Sequence, residues 1–384
     1  QRPIRQLNPS ISPELEVVIN AAVQYNPEDR YQSALEMKDA LINVARKTGL
    51  LGPITLPAAR STQAESNVKL LWTFECEDEV RGTPTIHKGM LYIGSYDNNL
   101  YALNAETGEF LWKYAAEGGI VSKPAVYEGN IYFGSEDKRV HAVYSRTGKI
   151  VWTYYTDGCV RSSPFIADGH IFIGSDDGYI HAINAMTGRR AWRVAVGDHV
   201  RSTPLVNDSL VYFGNESGDF YCLDMGGSVK WRFKSKRAVT SSAVISQGIV
   251  YFSSVDWTLY ALDAKTGWVI WRFRMGKASI CTPCLAENFI FTGSTDGNIY
   301  CVDTRSAKEI WRYSTEHQVT SSPIVHKDSL YCGSVDGHLY CLEYRTGRLR
   351  WKFPTEGPIT GTPTAENNVV YIGSTDHRIY ALAT

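Results

Sequence analysis

The chain has 384 residues, enough for one large domain or roughly two to three ordinary ones, with aromatics at 12%, including 23 Tyr and 10 Trp, and with 32 Gly. That mixture suits many short strands joined by tight turns and excludes a helical bundle. Lys plus Arg at 39 against Asp plus Glu at 40 leaves a net charge of -1, which excludes a general attraction to nucleic acid or anionic membrane and makes any electrostatic recognition local.

The N-terminal region reads as helical. Ser12 followed by Pro13 starts a helix that Leu15, Val18, Ile19 and Ala22 continue, and Asn26-Pro27 stops it. Ser33 with Glu36 forms a capping box that opens a second helix through Leu35, Met37, Ala40, Leu41 and Val44. Two such helices bury too little area to stand alone, so residues 1–47 read as the end of something larger. The string NPSISPELEVVINAAVQYNPEDRYQSALEMKDAL resembles the last two helices of the C-lobe in bacterial eukaryotic-type Ser/Thr protein kinases. The resemblance implies that Arg30 corresponds to the arginine that pairs with the buried glutamate of the A-P-E motif. It covers only about 45 residues, and the chain has no Gly-rich loop, V-A-I-K lysine, H-R-D or D-F-G. Phosphoryl transfer by this chain is therefore not expected.

Residues 48–66, with Gly49, Gly52, Pro53, Pro57 and Ser61, read as a flexible linker. No stretch approaches the roughly 20 apolar residues of a membrane span, and no secretion signal is evident. Together with the kinase-like segment this gives the cytoplasm as the expected compartment.

From residue 67 a repeat takes over. Trp72, Trp112, Trp152, Trp192, Trp231, Trp271, Trp311 and Trp351 recur at intervals of 40, 40, 40, 39, 40, 40 and 40 residues. A period in this range marks a solenoid or propeller, and each unit holds four short runs parted by turns, the content of one blade. Between Trp112 and Trp152 the runs are LWKY, KPAV, IYFGS and VHAVY; we label them strands D, A, B and C, with A nearest the axis. The B–C turns read SYDNN, SEDKR, SDDGY, NESGD, SVDWT, STDGN, SVDGH and STDHR, rich in residues that tolerate positive φ. The shorter C–D turn MGGS before Trp231 accounts for the single interval of 39. The first D run, around 67–74, has no blade before it, and the last blade has no D run after it. Each is expected to complete the other, giving an all-β, eight-bladed propeller over 67–384, monomeric, behind a short α-helical segment.

ALNAETGEFLW, AINAMTGRRAW and ALDAKTGWVIW carry the tryptophan docking pattern that resembles the PQQ-like propeller family. The resemblance implies that the eight tryptophans pack structurally onto neighbouring blades. PQQ enzymes of this type use adjacent paired cysteines, a calcium held by acidic and amide groups, and a catalytic Asp. The chain has no Cys-Cys pair, and Asp97, Asp137, Asp177, Asp256, Asp296, Asp336 and Asp376 are read as turn residues. No cofactor and no metal are expected, PQQ included.

Cys281 and Cys284 form CTPC, which reads either as a redox or zinc half-site or as two strand positions facing opposite ways; the second reading is preferred. The start of strand A reads Arg81, Val121, Arg161, Arg201, Thr240, Ile280, Thr320 and Thr360, and the neighbouring loops add Lys234, Lys236, Arg237 and Lys277. Arg81, Arg161, Arg201, Lys236, Arg237 and Lys277 could rim one mouth of the channel and bind a carboxylate or phosphate. Alternatively, the arginines pair with loop acids such as Glu77, Asp78, Asp157 or Asp198.

The expected function is a non-catalytic propeller that senses a small anionic ligand or docks a protein partner, attached to a Ser/Thr kinase. The alternatives are a freestanding periplasmic scaffold resembling the BamB-type proteins of outer-membrane assembly, and a PQQ-dependent dehydrogenase.

Overall fold

The computed structural model describes residues 4–8, 11–26, 30–31, 37, 40–41, 44 and 68–384. The chain divides into two compact units, Gln1–Gln63 and Ala64–Thr384.

In the first unit, helix α1 spans Ile4–Leu7 and helix α2 spans Pro13–Ala22. The Ser12 side chain accepts the Leu15 N–H at 3.2 Å and Pro13 occupies the first turn, so α2 begins where the sequence places it. It ends earlier than Asn26-Pro27 suggests. The Val23 N–H closes the last helical bond to Ile19, and the Arg30 guanidinium then takes the carbonyls of Gln24 at 2.7 Å and Tyr25 at 3.3 Å. Those carbonyls are thereby held by a side chain at the helix end. The capping box of Ser33 and Glu36 lies outside the described residues, whereas Met37, Ala40, Leu41 and Val44 are helical.

The second unit comprises eight four-stranded antiparallel sheets. The first blade runs Thr85–His87, Met90–Gly94, Asn99–Asn104 and Phe110–Ala115 as strands A to D. The pattern repeats to the eighth blade, whose strands Thr364–Glu366, Val369–Gly373 and Arg378–Ala383 are completed by the N-terminal strand Leu70–Glu75. There Trp72 pairs with Ala381 and Phe74 with Ile379, so the ring closes and two sheet edges vanish.

Strand A is shorter than the sequence suggests, only three residues in every blade. In seven blades a proline (Pro84, Pro124, Pro164, Pro204, Pro283, Pro323 or Pro363) stands just before it and cannot donate to a ladder. The arginine column accordingly lies in the loop ahead of strand A.

Each blade carries a β-bulge beside its tryptophan. In the first, Ala102 pairs with Trp112 and Leu103 with Phe110, leaving Leu111 as the extra residue. In seven of the eight blades the indole N–H then donates to a carbonyl of the following blade. Seven such bonds, Trp72 to Ala105 through Trp311 to Tyr344, measure 2.8–3.1 Å. Between blades, a buried aliphatic residue covers a strand-B glycine of its predecessor. Ile120 lies so close to Gly94 that a Cβ there would come within 2.2 Å of it, and Val160 stands likewise against Gly134. Full burial of such a side chain contributes roughly 1.5–3 kcal/mol. At the junction of the fifth and sixth blades hydroxyls replace this contact: Ser253 and Ser279 lie 3.0 and 3.2 Å from Thr292 Oγ1.

Candidate functional site: the propeller mouth and channel

The arginine column forms an ion ladder across adjacent blades. Arg161 bonds Glu136 at 2.7 Å and also reaches Asp176, while Arg201 bonds Asp176 at 2.9 Å and Glu216 at 2.6 Å. Asp176, whose side chain is only 9% exposed, is thus shared by two guanidinium groups. The hydrogen bond that Arg201 donates to Asp176 raises the pKa of Arg201 above the ordinary arginine value. Arg81 stands apart, paired with Glu79 and placed 5.2 Å from the centre of the Tyr96 ring. The acids are therefore Glu79, Glu136, Asp176 and Glu216. Of the four acids suggested by the sequence, Glu77 pairs with Lys113 and Asp157 with Arg193, while Asp78 and Asp198 each accept the next residue's N–H.

The lysines do not join this ladder. Lys236 lines a cavity of about 370 Å³ with Lys234, Asp256, Arg272 and Arg274. Lys277 lines another, of about 220 Å³, with Asp296, Glu316 and His317. The Arg237 carbonyl accepts the hydroxyls of Ser235 and Ser254.

None of these six residues lines the axial cavity, which measures about 830 Å³ and is walled by all eight blades. Two residues beyond the arginine column comes Thr83, Lys123, Ser163, Thr203, Ser242, Thr282, Ser322 and Thr362, and all eight face that cavity. Neighbouring blades are stitched there by hydroxyls. The Thr203 N–H donates to Ser242 at 2.8 Å, Ser242 to Thr282 at 3.1 Å, Thr282 to Ser322 at 2.9 Å, Thr362 to Thr83 at 3.2 Å and Lys123 to Ser163 at 2.8 Å. Lys123 is the one member without a hydroxyl and the one charged residue of the lining. Aligning the column at the channel's depth instead of its mouth would have found it in the sequence.

The Asp column of the B–C turns serves structure. Asp336 accepts the Tyr340 hydroxyl at 2.8 Å and the N–H groups of Glu316 and His338. Asp97, Asp256, Asp296 and Asp376 repeat the tyrosine bond, whereas Asp137 and Asp177 bond His141 and His181. Cys281 and Cys284 are unpaired. Cys281 lies in the loop, fully buried, with its thiol pushed up to about 12 by desolvation, while Cys284 begins strand A and lines the channel.

The fold and its docking tryptophans define an eight-bladed propeller of the PQQ-like repeat class. The family model described as outer membrane protein assembly factor BamB matches residues 64–175, 156–224, 176–285, 216–322 and 295–384, and the chain belongs to that family. No curated protein matches it significantly. Among solved structures, BamB from Moraxella catarrhalis is similar with a TM-score of 0.72 at 18% identity, over 83% of this chain and 98% of that one. The computationally designed Ika8 protein gives 0.75 at 17%, over 82% and 100%. The quinohemoprotein alcohol dehydrogenase from Comamonas testosteroni gives 0.70 at 14%, over 83% and 76%. At these identities the likeness shows the fold alone.

A quinone with its calcium does not fit this channel. Its lining holds no carboxylate to ligate a divalent cation and no adjacent pair of cysteines. Among the described residues no helix is long and apolar enough to cross a membrane.

Proposed function

We propose that the propeller is a non-catalytic docking platform serving as the regulatory module of a Ser/Thr protein kinase. The observation that carries the docking role is the ladder Glu136–Arg161–Asp176–Arg201–Glu216. Its side chains are held in place before any partner arrives, so a partner with a complementary charge pattern binds without first ordering them. The kinase link is supported by the kinase-like segment that ends near residue 47 and by the Ser12-capped helix within it.

The test begins with the reading frame upstream of Gln1. If H-R-D and D-F-G motifs lie in frame, autophosphorylation should change when residues 67–384 are removed. It should change in the same direction when Asp176→Ala breaks the ladder. An in-frame export signal with a lipidated cysteine would sink this proposal. It would favour a periplasmic scaffold instead, the reading that membership of the BamB family supports. Unchanged phosphorylation in both variants would sink the regulatory role.

A further inference from the structure

Among the eight residues of the column that lines the axial cavity, Lys123 alone carries no hydroxyl, which leaves a break in the hydroxyl ring there. At five of the other seven junctions a backbone N–H of one blade finds a hydroxyl of the next, and at the remaining two the Ser162 and Ser321 hydroxyls donate instead to the Ser202 and Gly361 carbonyls. Lys123 offers no side-chain acceptor, so the Thr83 N–H lacks the hydroxyl partner that five of its counterparts have. A backbone donor and an ammonium group therefore stand on adjacent blades at one point of the wall.

No carboxylate compensates the ammonium. Among the described residues no acid lies within ion-pair distance of Lys123, and the cavity lining contains none. The nearest acid to share a depression with it is Glu366, in the smaller hollow of about 200 Å³ beside Thr85 and Thr364. Lys123 is open to the channel by area, yet protein surrounds that channel on every side. This environment lowers its pKa through desolvation, the mark of a cation that an anion would stabilise.

Two residues beyond the hydroxyl column, the lining changes character. Phe165, Val244, Cys284 and Ile324, from the third, fifth, sixth and seventh blades, face the same cavity, so one enclosed space holds both a site for negative charge and an apolar surface.

We propose that the axial cavity binds a small carboxylate with a short apolar tail, its carboxylate at the break between Lys123 and Thr83 and its tail against Phe165, Val244, Cys284 and Ile324. Most of such a ligand would be enclosed, in a cavity within the size range of small-molecule sites. This site stands apart from the docking proposal, because it involves neither the ladder nor a protein partner.

The test uses the full 384-residue chain in a carboxylate-free buffer, titrated calorimetrically with hexanoate, acetate and inorganic phosphate. Hexanoate should bind one per chain, and acetate and phosphate at least about tenfold more weakly, since neither reaches the apolar wall. Lys123→Ser places in the second blade the residue that the third, fifth and seventh carry at this position, so it should fold and lose hexanoate at least about tenfold. Lys123→Gln, which keeps length and loses charge, gives the same reading if the serine variant melts early. A second readout needs no variant: hexanoate should slow the alkylation of Cys284 by iodoacetamide and leave Cys159 unaffected. Equal hexanoate affinity in wild type and Lys123→Gln, no hexanoate binding, or binding without protection of Cys284 would each overturn the proposal.

Discussion

Gly148 lies directly on the indole of Trp112. A Cβ built on Gly148 would approach the ring carbon Cε3 to 2.5 Å, and its φ of +66° is in the left-handed region. Two independent constraints thus require glycine in the T-G turn: the backbone conformation and the ring beneath it. The Trp112 N–H, bonded to the Ser145 carbonyl at 3.1 Å, fixes that ring in place. Gly148→Ala should cost about 3 kcal/mol, combining left-handed strain of about 1–2 kcal/mol with overpacking of similar size. Urea unfolding monitored by tryptophan fluorescence measures it, and a loss below about 0.5 kcal/mol would show that the ring yields.

The corresponding residue of the sixth blade is Ala307, with φ +55°, where the turn reads R-S-A-K instead of x-T-G-x. Alanine in this conformation is strained, so Ala307→Gly should stabilise the protein by about 1 kcal/mol despite the added entropy of the unfolded chain. The same unfolding experiment reads this change with the opposite sign. A destabilised variant would mean that the methyl group makes a compensating contact.

Asp336 links pH to stability. Burial works to raise its pKa, but the Tyr340 hydroxyl and the N–H groups of Glu316 and His338 outweigh burial and hold the carboxyl below its ordinary value. A depressed carboxyl pKa contributes stability that is complete above the unfolded value, about 4, and is lost as pH falls through the folded value. Asp137, Asp177 and Asp219 are shifted in the same direction. Unfolding free energy should therefore be insensitive to these groups between about pH 5 and 8 and should fall below about pH 4. Asp336→Asn should cost about 1–2 kcal/mol at pH 7 and less at pH 3. A penalty that does not change with pH would show that the ionised form is not what the tyrosine and amides favour.

What the sequence made legible was the repeating part. The tryptophan interval, the turn residues and the split last blade follow from local chemistry that recurs in each copy, and copies reinforce one another. The bulge before each tryptophan was not legible, because Leu111 and Phe110 are both ordinary strand residues and only the pairing with Leu103 shows which one is extra. The ladder partners escaped for a different reason. Acids close in sequence to Arg161 and Arg201 suggested themselves, but the curvature of the ring brings in B–C turn acids up to 25 residues away. Lys123 was obscured because the column at the mouth was aligned for charge, while the channel is walled by residues two positions further on.

Ring closure depends on a single strand. Leu70–Glu75 pairs along its length with Arg378–Ala383, and the Trp72 N–H bonds the Ala105 carbonyl of the first blade at 3.1 Å. The strand therefore joins the last blade to the first. On the other side of the same junction, Thr362 donates to Thr83 and Thr364 to the Pro84 carbonyl. Deleting residues 67–74 leaves those inner contacts available but exposes one edge of Arg378–Ala383 and removes the indole bond. The truncated chain should melt at lower temperature and over a broader range, and should associate at concentrations where the full chain does not, because an open sheet edge pairs with its like. Adding the missing strand as a separate peptide should restore the sharp transition. An unchanged, cooperative melt of the truncated protein would show that the inner contacts alone hold the ring shut.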